Sequence, residues 1–588
     1  MGLTGRDAAP PADVAEALRV LGKRTLAFGI HDPSFPSRPE DDVGRGSPYA
    51  EGGVELLRFV RELGFNAVQL GPQGETSLGN RSPYDATLFS RSTLSIALRP
   101  LVEARLLDAA DLGAIVSAKP RGDRMHHAYV FDAARRALRT ARTAYERTGR
   151  GRGLDDFARA SAPWLDSDAS AEDDPALFRF AQMVAHEQHA ALRRRIAPWG
   201  LKLFADVQIG FSTRDEAAYR HLFLAGYRMG APPSRTNPDG QPWGFPVLDP
   251  ASRRGEAAAF FRRRIGKLLD EFDGLRVDHP HGLVCPWVYR ADDPDPLRAV
   301  AEGARLFESP DLPDHPELAP LAIARSDQLD RAQARYADRW VRELDEGQVD
   351  RYAELFDLVI ACAAARGRET ADVVCEVLST QPYPLERVLA RHGLGRFRVT
   401  QKAKPDDPRD VYRSDNARPR DWIMLGNHDT EPIWRVVQRW RERDRGGAGV
   451  VWSWARYLAA RLAPARPDSA RAAFARRLVE DDRRLIEALF ADLFASEAEN
   501  VFVFFSDLFG YDDVYNVPGV VNDDNWTLRV RPSWRQEYPE MAERGAALHL
   551  PRALALALRA RSDRGDGAPY EALVARLEAS AAHSASRP

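Results

Sequence analysis

The 588-residue sequence predicts an α/β fold, a (β/α)8 TIM barrel with helical insertions between strands, and three observations carry that expectation. Eight short apolar runs alternate with stretches of helical periodicity. Carboxylates stand at or near the C-terminal ends of five of those runs, as Asp206, Asp278, Glu376, Asp429 and Asp507, and the C-terminal end is where a barrel opens its active site. The rival, an open doubly wound sheet, normally carries a glycine-rich phosphate turn after its first strand, and no GxGxxG follows the first run here.

The elements follow in chain order. TLAFGIHD (25–32) is an apolar run closed by polar residues and predicts the first strand. VELLRFVRELGF (54–65) has helical spacing and hands over to a second strand, NAVQLGP (66–72). The long loop after it ends in Ser82-Pro83-Tyr84 and is expected to line something. From 100 to 200 the pattern is helical, an inserted subdomain placed by its position as a wall of the cleft. LKLFADVQI (201–209) is the third strand, followed by an irregular Pro- and Gly-rich binding loop over 226–250 that holds Gln241 and Trp243. DGLRVDHPHG (273–282), DVVCEV (372–377), RFRVTQKA (396–403), DWIMLGNHD (421–429) and NVFVFFSDLF (500–509) complete the eight. A second insertion covers 290–350 and a helical tail 540–588, all within one catalytic domain over 1–588.

Composition narrows the function classes. Hydrophobic content of 44%, charged content of 29% and a formal charge of -3 give no bulk attraction to nucleic acid or to an anionic membrane, so no partner of either kind is expected. Cys285, Cys362 and Cys375 are odd in number and lack metal-ligand spacing, which argues against disulfides and zinc and for a reducing compartment. The N-terminus lacks the basic start and apolar run of a signal peptide, and no stretch has the apolar length that spans a bilayer, so a cytoplasmic protein is expected.

In DGLRVDHPHG, Leu275 and Val277 alternate with Arg276 and Asp278, so strand register sends the last two the same way. An arginine beside a carboxylate keeps it ionised, as a nucleophile requires. Glu376 lies in an apolar strand that favours the protonated form, as a proton donor requires. The plain alternative for this stretch is a structural Arg–Asp pair at a strand end. A set of carboxylates without a phosphate loop, metal-spaced ligands or a GxSxG elbow matches glycosidic bond chemistry, which needs no cofactor. Tyr84 and Trp243, taken singly, are as readily core aromatics.

GLRVDH, a strand-end Glu and NHD, in that order, resemble the catalytic triplet of the 4-α-glucanotransferases called amylomaltases or disproportionating enzymes, a branch of the α-amylase clan. GPQGETSLGNRSPYDATLF, GAPPSRTNPDGQPWGFPVLD and SDLFGYDDVYNVPGVVNDDNW resemble further motifs of that family, collinearly from about 25 to 530. The resemblance implies Asp278 as nucleophile, Glu376 as acid/base and Asp429 as transition-state stabiliser. It implies Arg276 and His428 as their support and Tyr84, Asp206, Gln241, Trp243, Asn516 and Pro518 as substrate-binding positions, beside Gly519. The implied substrates are α-1,4-glucans and maltooligosaccharides, cut with retention, and no metal or organic cofactor is implied. A retaining hydrolase on the same scaffold and a non-catalytic glucan-binding barrel are the rivals.

The chain departs from the family pattern in four places. Pro280-His281 replaces Phe-Arg, Val377 replaces an Asp after the acid/base, and Asn427 replaces a Thr. Ser234, Arg235 and Thr236 stand where the family often has Tyr-Phe, which leaves those positions without aromatic residues; if the shielding of an aromatic lid is lost with them, water is expected to compete better with a sugar acceptor.

Overall fold

In the computed structural model, residues 8–149, 151–235, 237–447, 449–563 and 570–583 are described. Thr236 and residues 1–7, where the N-terminal reading begins, lie outside them. All eight expected strands are present: β1 (Thr25–Ile30), β2 (Ala67–Leu70), β3 (Lys202–Val207), β4 (Gly274–Val277), β5 (Val373–Cys375), β6 (Phe397–Val399), β7 (Trp422–Met424) and β8 (Asn500–Phe504). They form one parallel sheet in the order β6-β7-β8-β1-β2-β3-β4-β5. Helices cover the outside of a sheet filled on its inside, so each strand is buried on both faces and reads as a nearly unbroken apolar run.

The sheet is a nearly closed barrel. Across the seam between β5 and β6, the Phe397 amide donates to the Val377 carbonyl at 3.1 Å. Ala27, Gln69, Phe204, Arg276, Val374, Phe397, Trp422 and Phe502, one from each strand, surround a single interior void. Interior space is tight: a Cβ on Gly29 of β1 would stand 2.1 Å from the Phe502 ring, so glycine there makes room for the phenylalanine.

A second sheet lies beside the barrel mouth. Its strands run in the order Gln241–Phe245, Tyr227–Ala231, Trp287–Arg290, Ala304–Arg305, each antiparallel to its neighbour. The expectation of an irregular loop over 226–250 is thereby corrected: the two arms Tyr227–Ala231 and Gln241–Phe245 pair as a hairpin. Its glycines and prolines hide the strand pattern. At Gly230 a Cβ would come within 2.4 Å of the Gln241 carbonyl, so close pairing of the two arms needs glycine.

The helices Arg99–Glu103, Ala109–Ala118, His127–Arg147, Gly151–Ser170 and Pro175–Ile196 occupy the first insertion. They enclose a cluster of their own, while Leu192 and Ile196 join the main core. No described residue between 100 and 200 lines the cleft, which corrects the expected cleft wall. The insertion instead braces the rim loops from outside. Arg124 Nη2 pairs with Asp513 Oδ1 at 2.7 Å, and His127 Nε2 lies 3.1 Å from the Ser77 carbonyl. Near the C-terminus, helix Leu550–Asp563 buries Ala553, Leu554 and Leu558 in the main core. Among the described residues, no helix is long and apolar enough to cross a membrane.

Candidate active site

Strand register builds the site. Arg276 faces the barrel interior from β4, so Asp278, two residues on, faces the same way above it. Asp206 is the registered neighbour of Arg276 on β3. Val374 faces inward from β5, which puts Glu376 inward and Cys375 on the opposite, helix-packed face.

Arg276 is the hub of these acids. Its Nη1 meets Asp206 at 2.7 and 2.6 Å to the two carboxylate oxygens. Its Nη2 lies 2.7 Å from Glu376 Oε2 and 3.2 Å from Asp278 Oδ1. Asp206 is the anchor, since its side chain is fully buried and also accepts from Tyr84 Oη at 2.9 Å and Gln69 Nε2 at 3.1 Å. The expectation that Asp206 binds substrate is thus corrected: it holds the arginine and has no surface left for sugar. The guanidinium side chain is 3% exposed, so Arg276 likewise works from beneath the cleft.

The electrostatics of Asp278 differ from the sequence-based expectation. Arg276 stands nearer Glu376 than Asp278, and burial, together with the facing Glu376 and Asp206 carboxylates, pushes Asp278 well above the usual carboxylate range despite the arginine. The cause is distance. Residues i and i+2 of one strand are separated by about 6.6 Å, whereas adjacent strands lie about 4.8 Å apart, so the guanidinium reaches across the sheet more easily than along it.

Asp429, beyond β7, forms the other end of the site. Its Oδ1 accepts from Asn516 Nδ2 at 2.7 Å, and its Oδ2 lies 3.2 Å from His428 Nε2. Burial alone would raise its pKa, but the neighbouring His428 and the hydrogen bonds from His428 and Asn516 hold it well below the usual carboxylate range. Tyr84 stacks on the His428 ring at 5.1 Å and 19°. His31 stacks on Trp526 at 5.6 Å and 10°, with His428 at 5.1 Å. This aromatic box fixes the Asp429 end, and the buried His428 supports it without lining the cleft.

Asp278, Glu376 and Asp429 open together into a cleft of 680 Å³, with Tyr84, Gln241, Trp243, Asn516, Pro518 and Gly519 along its walls. Trp243 meets His279 edge to face at 4.7 Å, and His279 stacks on His281 at 4.3 Å. His281, at the departure from Phe-Arg, lies with Nε2 3.0 Å from the Thr380 carbonyl and so ties the β4 and β5 ends. His279 has φ 39, a left-handed backbone immediately after Asp278, and such strain is commonly held at functional sites. Asp507 is turned away from the cleft, where its Oδ1 accepts from the Ile433 amide at 2.8 Å at a helix start. Of the five strand-end acids, three face the cleft.

Sequence reasoning missed His31, Trp526, His279 and the cleft-lining Trp287 and Arg305. His31 had a signal, because it closes the first apolar run as the acids close the others. Trp526 had only its place at the end of a quoted motif.

A sequence profile described as 4-alpha-glucanotransferase matches residues 166–535. The chain is 26% identical over 335 residues to a 4-alpha-glucanotransferase of Thermus thermophilus, covering 48% of this chain and 64% of that protein. It is 26% identical over 289 residues to one of Aquifex aeolicus, covering 41% of this chain and 58% of that protein. The matched stretch thus spans less than two thirds of either relative. By fold, the chain is similar to amylomaltase from Streptococcus agalactiae, solved with acarbose, with a TM-score of 0.66, 18% identity and coverage of 92% and 99%. It is also similar to amylomaltase from Corynebacterium glutamicum, with a TM-score of 0.67, 19% identity and coverage of 94% and 77%.

Proposed function

The chain belongs to the 4-alpha-glucanotransferase family, glycoside hydrolase family 77, and on that premise we propose that it cuts an α-1,4-glucosidic bond, holds the glucosyl part on Asp278 and passes it to the 4-hydroxyl of another glucan or of glucose. The observation that carries the reading is the shared cation: one guanidinium nitrogen holds Asp278 and Glu376 within 3.2 and 2.7 Å. Oxygens at those distances from one nitrogen stand less than about 6 Å apart, which is compatible with the short carboxyl separation of retaining glycosidases, about 5–5.5 Å, against 6.5–9.5 Å for inverting ones.

In the reactive form, Glu376 carries a proton and Asp278 is ionised. The Asp278 carboxylate attacks the anomeric carbon while Glu376 gives its proton to the departing O4, leaving a glucosyl ester on Asp278. The acceptor 4-hydroxyl then attacks the same carbon, its proton passes to Glu376, and the ester bond to Asp278 breaks. Two displacements at one carbon retain the configuration. Asp429 stays ionised and accepts hydrogen bonds from ring hydroxyls of the charged transition state. Tyr84 and Trp243 offer flat apolar faces to glucose rings.

Incubation with maltotriose tests the reaction. Transfer gives glucose and a ladder of longer oligomers with no gain in reducing ends, whereas shorter sugars alone, with a rising reducing-end count, would sink the transferase reading in favour of hydrolysis. Because burial and the neighbouring carboxylates raise Asp278, kcat/KM on maltotriose is expected to fall on the acid side from well above the ordinary aspartate value of about 4. An acid limb at or below that value would refute a raised Asp278 carboxyl.

A further inference from the structure

The hairpin Tyr227–Ala231 and Gln241–Phe245 leaves the barrel after β3 and carries Arg235 on its tip. Arg235 Nη1 donates to Asp410 Oδ2 at 2.6 Å, Nη2 donates to the Lys402 carbonyl at 3.1 Å, and the guanidinium lies 5.2 Å over the Tyr412 ring. All three partners belong to the connection after β6. In the ring of strands, β4 and β5 stand between β3 and β6. The hairpin tip therefore crosses the barrel mouth over the two strand ends that carry Asp278 and Glu376, and Ser234 and Asn237 line the cleft from it.

The anchor is buried. Asp410 is 1% exposed, and its Oδ1 accepts from the Tyr412 amide at 2.9 Å. An exposed ion pair of this kind would add little, but here a fork-shaped cation grips a buried carboxylate and a carbonyl and lies over a ring, which is the geometry that favours arginine over lysine. The Arg235 side chain is one third exposed, so the grip sits at the solvent edge, where it can be cut without opening the core.

We propose that Arg235, by latching this strap to Asp410, decides whether the glucosyl group on Asp278 passes to a sugar or to water; the proposal rests on the transfer reaction above. Both outcomes break the Asp278–C1 ester bond, form a new C1–O bond and return one proton to Glu376. They differ in whether the attacking oxygen belongs to a 4-hydroxyl or to water. A latched strap leaves the space over the ester to a sugar that binds the cleft walls, and a loose one admits solvent. The same position carries the departure from the aromatic residues of the family pattern, so the latch keeps the mouth covered without them.

The test counts new reducing ends per maltotriose consumed by the full-length protein, since transfer conserves them and hydrolysis adds one per event. Arg235→Ala is expected to raise that ratio about fivefold, Arg235→Lys to fall between, and Asp410→Asn to match Arg235→Ala. Carrying both Arg235→Ala and Asp410→Asn is expected to do no more than either alone, as for two halves of one contact. Added glucose, as acceptor, should suppress hydrolysis less in Arg235→Ala than in the unaltered protein. An unchanged ratio in Arg235→Ala, beside an unaltered protein that makes the ladder, overturns the latch alone. If the unaltered protein makes no ladder, the transfer reading fails and takes the latch with it.

Discussion

Asp278→Asn is expected to lower kcat/KM on maltotriose by about 10⁴-fold or more while leaving the fold intact. An amide cannot form the ester, and no second carboxylate can take its place, because Glu376 is on the neighbouring strand and Asp429 is turned toward Asn516 and His428. Stability should move the other way. Burial and the facing acids raise the Asp278 carboxyl, so at pH 7 its ionisation works against the folded state, and a neutral amide of the same shape relieves that cost. The variant should melt at or above the unaltered protein at pH 7. In Asp278→Gly, azide should enter the vacated space and attack C1 from the same face, giving β-glucosyl azide. Turnover of maltotriose by Asp278→Asn within tenfold of the unaltered rate would remove Asp278 from the nucleophile role.

Arg276→Met is expected to destabilise the protein by about 3–5 kcal/mol at pH 8 and to abolish activity, because it leaves three acids facing one another with no cation between them. The pH dependence gives the loss a signature. Asp206 and Asp278 already have folded pKa values above the ordinary range, and losing Arg276 raises them further. A raised carboxyl stabilises the fold below its unfolded value, about 4, and that contribution is lost as pH rises through the folded value. The deficit in unfolding free energy, measured with denaturant, should thus be smallest near pH 4–5 and widen toward pH 8. A deficit that does not change with pH would mean that Arg276 acts by packing alone.

The barrel strands were legible because each is a short apolar run closed by charge, and period-two alternation put Arg276 and Asp278 on one face. The side sheet was not. Its arms are broken by glycine and proline, and Ala304–Arg305 is too short to announce itself. The acids at the strand ends were legible as a set, but not which of them meet the cleft: Asp507 turns outward to cap a helix, and Asp206 is fully buried under Arg276. Which acid stands nearer the arginine was out of reach too. Adjacency in sequence favoured Arg276 with Asp278, and only the sheet, by bringing β5 alongside β4, gives Glu376 the shorter contact. His31 and Trp526 meet across almost the whole chain, a pairing that no local pattern encodes.

The seam of the barrel has a consequence for the chemistry. Strand β5 is laddered to β4 along its length but meets β6 through the single Val377–Phe397 link. The strand that bears the proton donor is thus laddered on one flank and, among the described residues, only linked at its end on the other. Glu376 is kept in step with Asp278 by its own amide, which donates to the Val277 carbonyl on β4 at 3.0 Å, and by their common guanidinium, so drift of the open edge is resisted by backbone and charge together at the place where drift would spoil proton delivery.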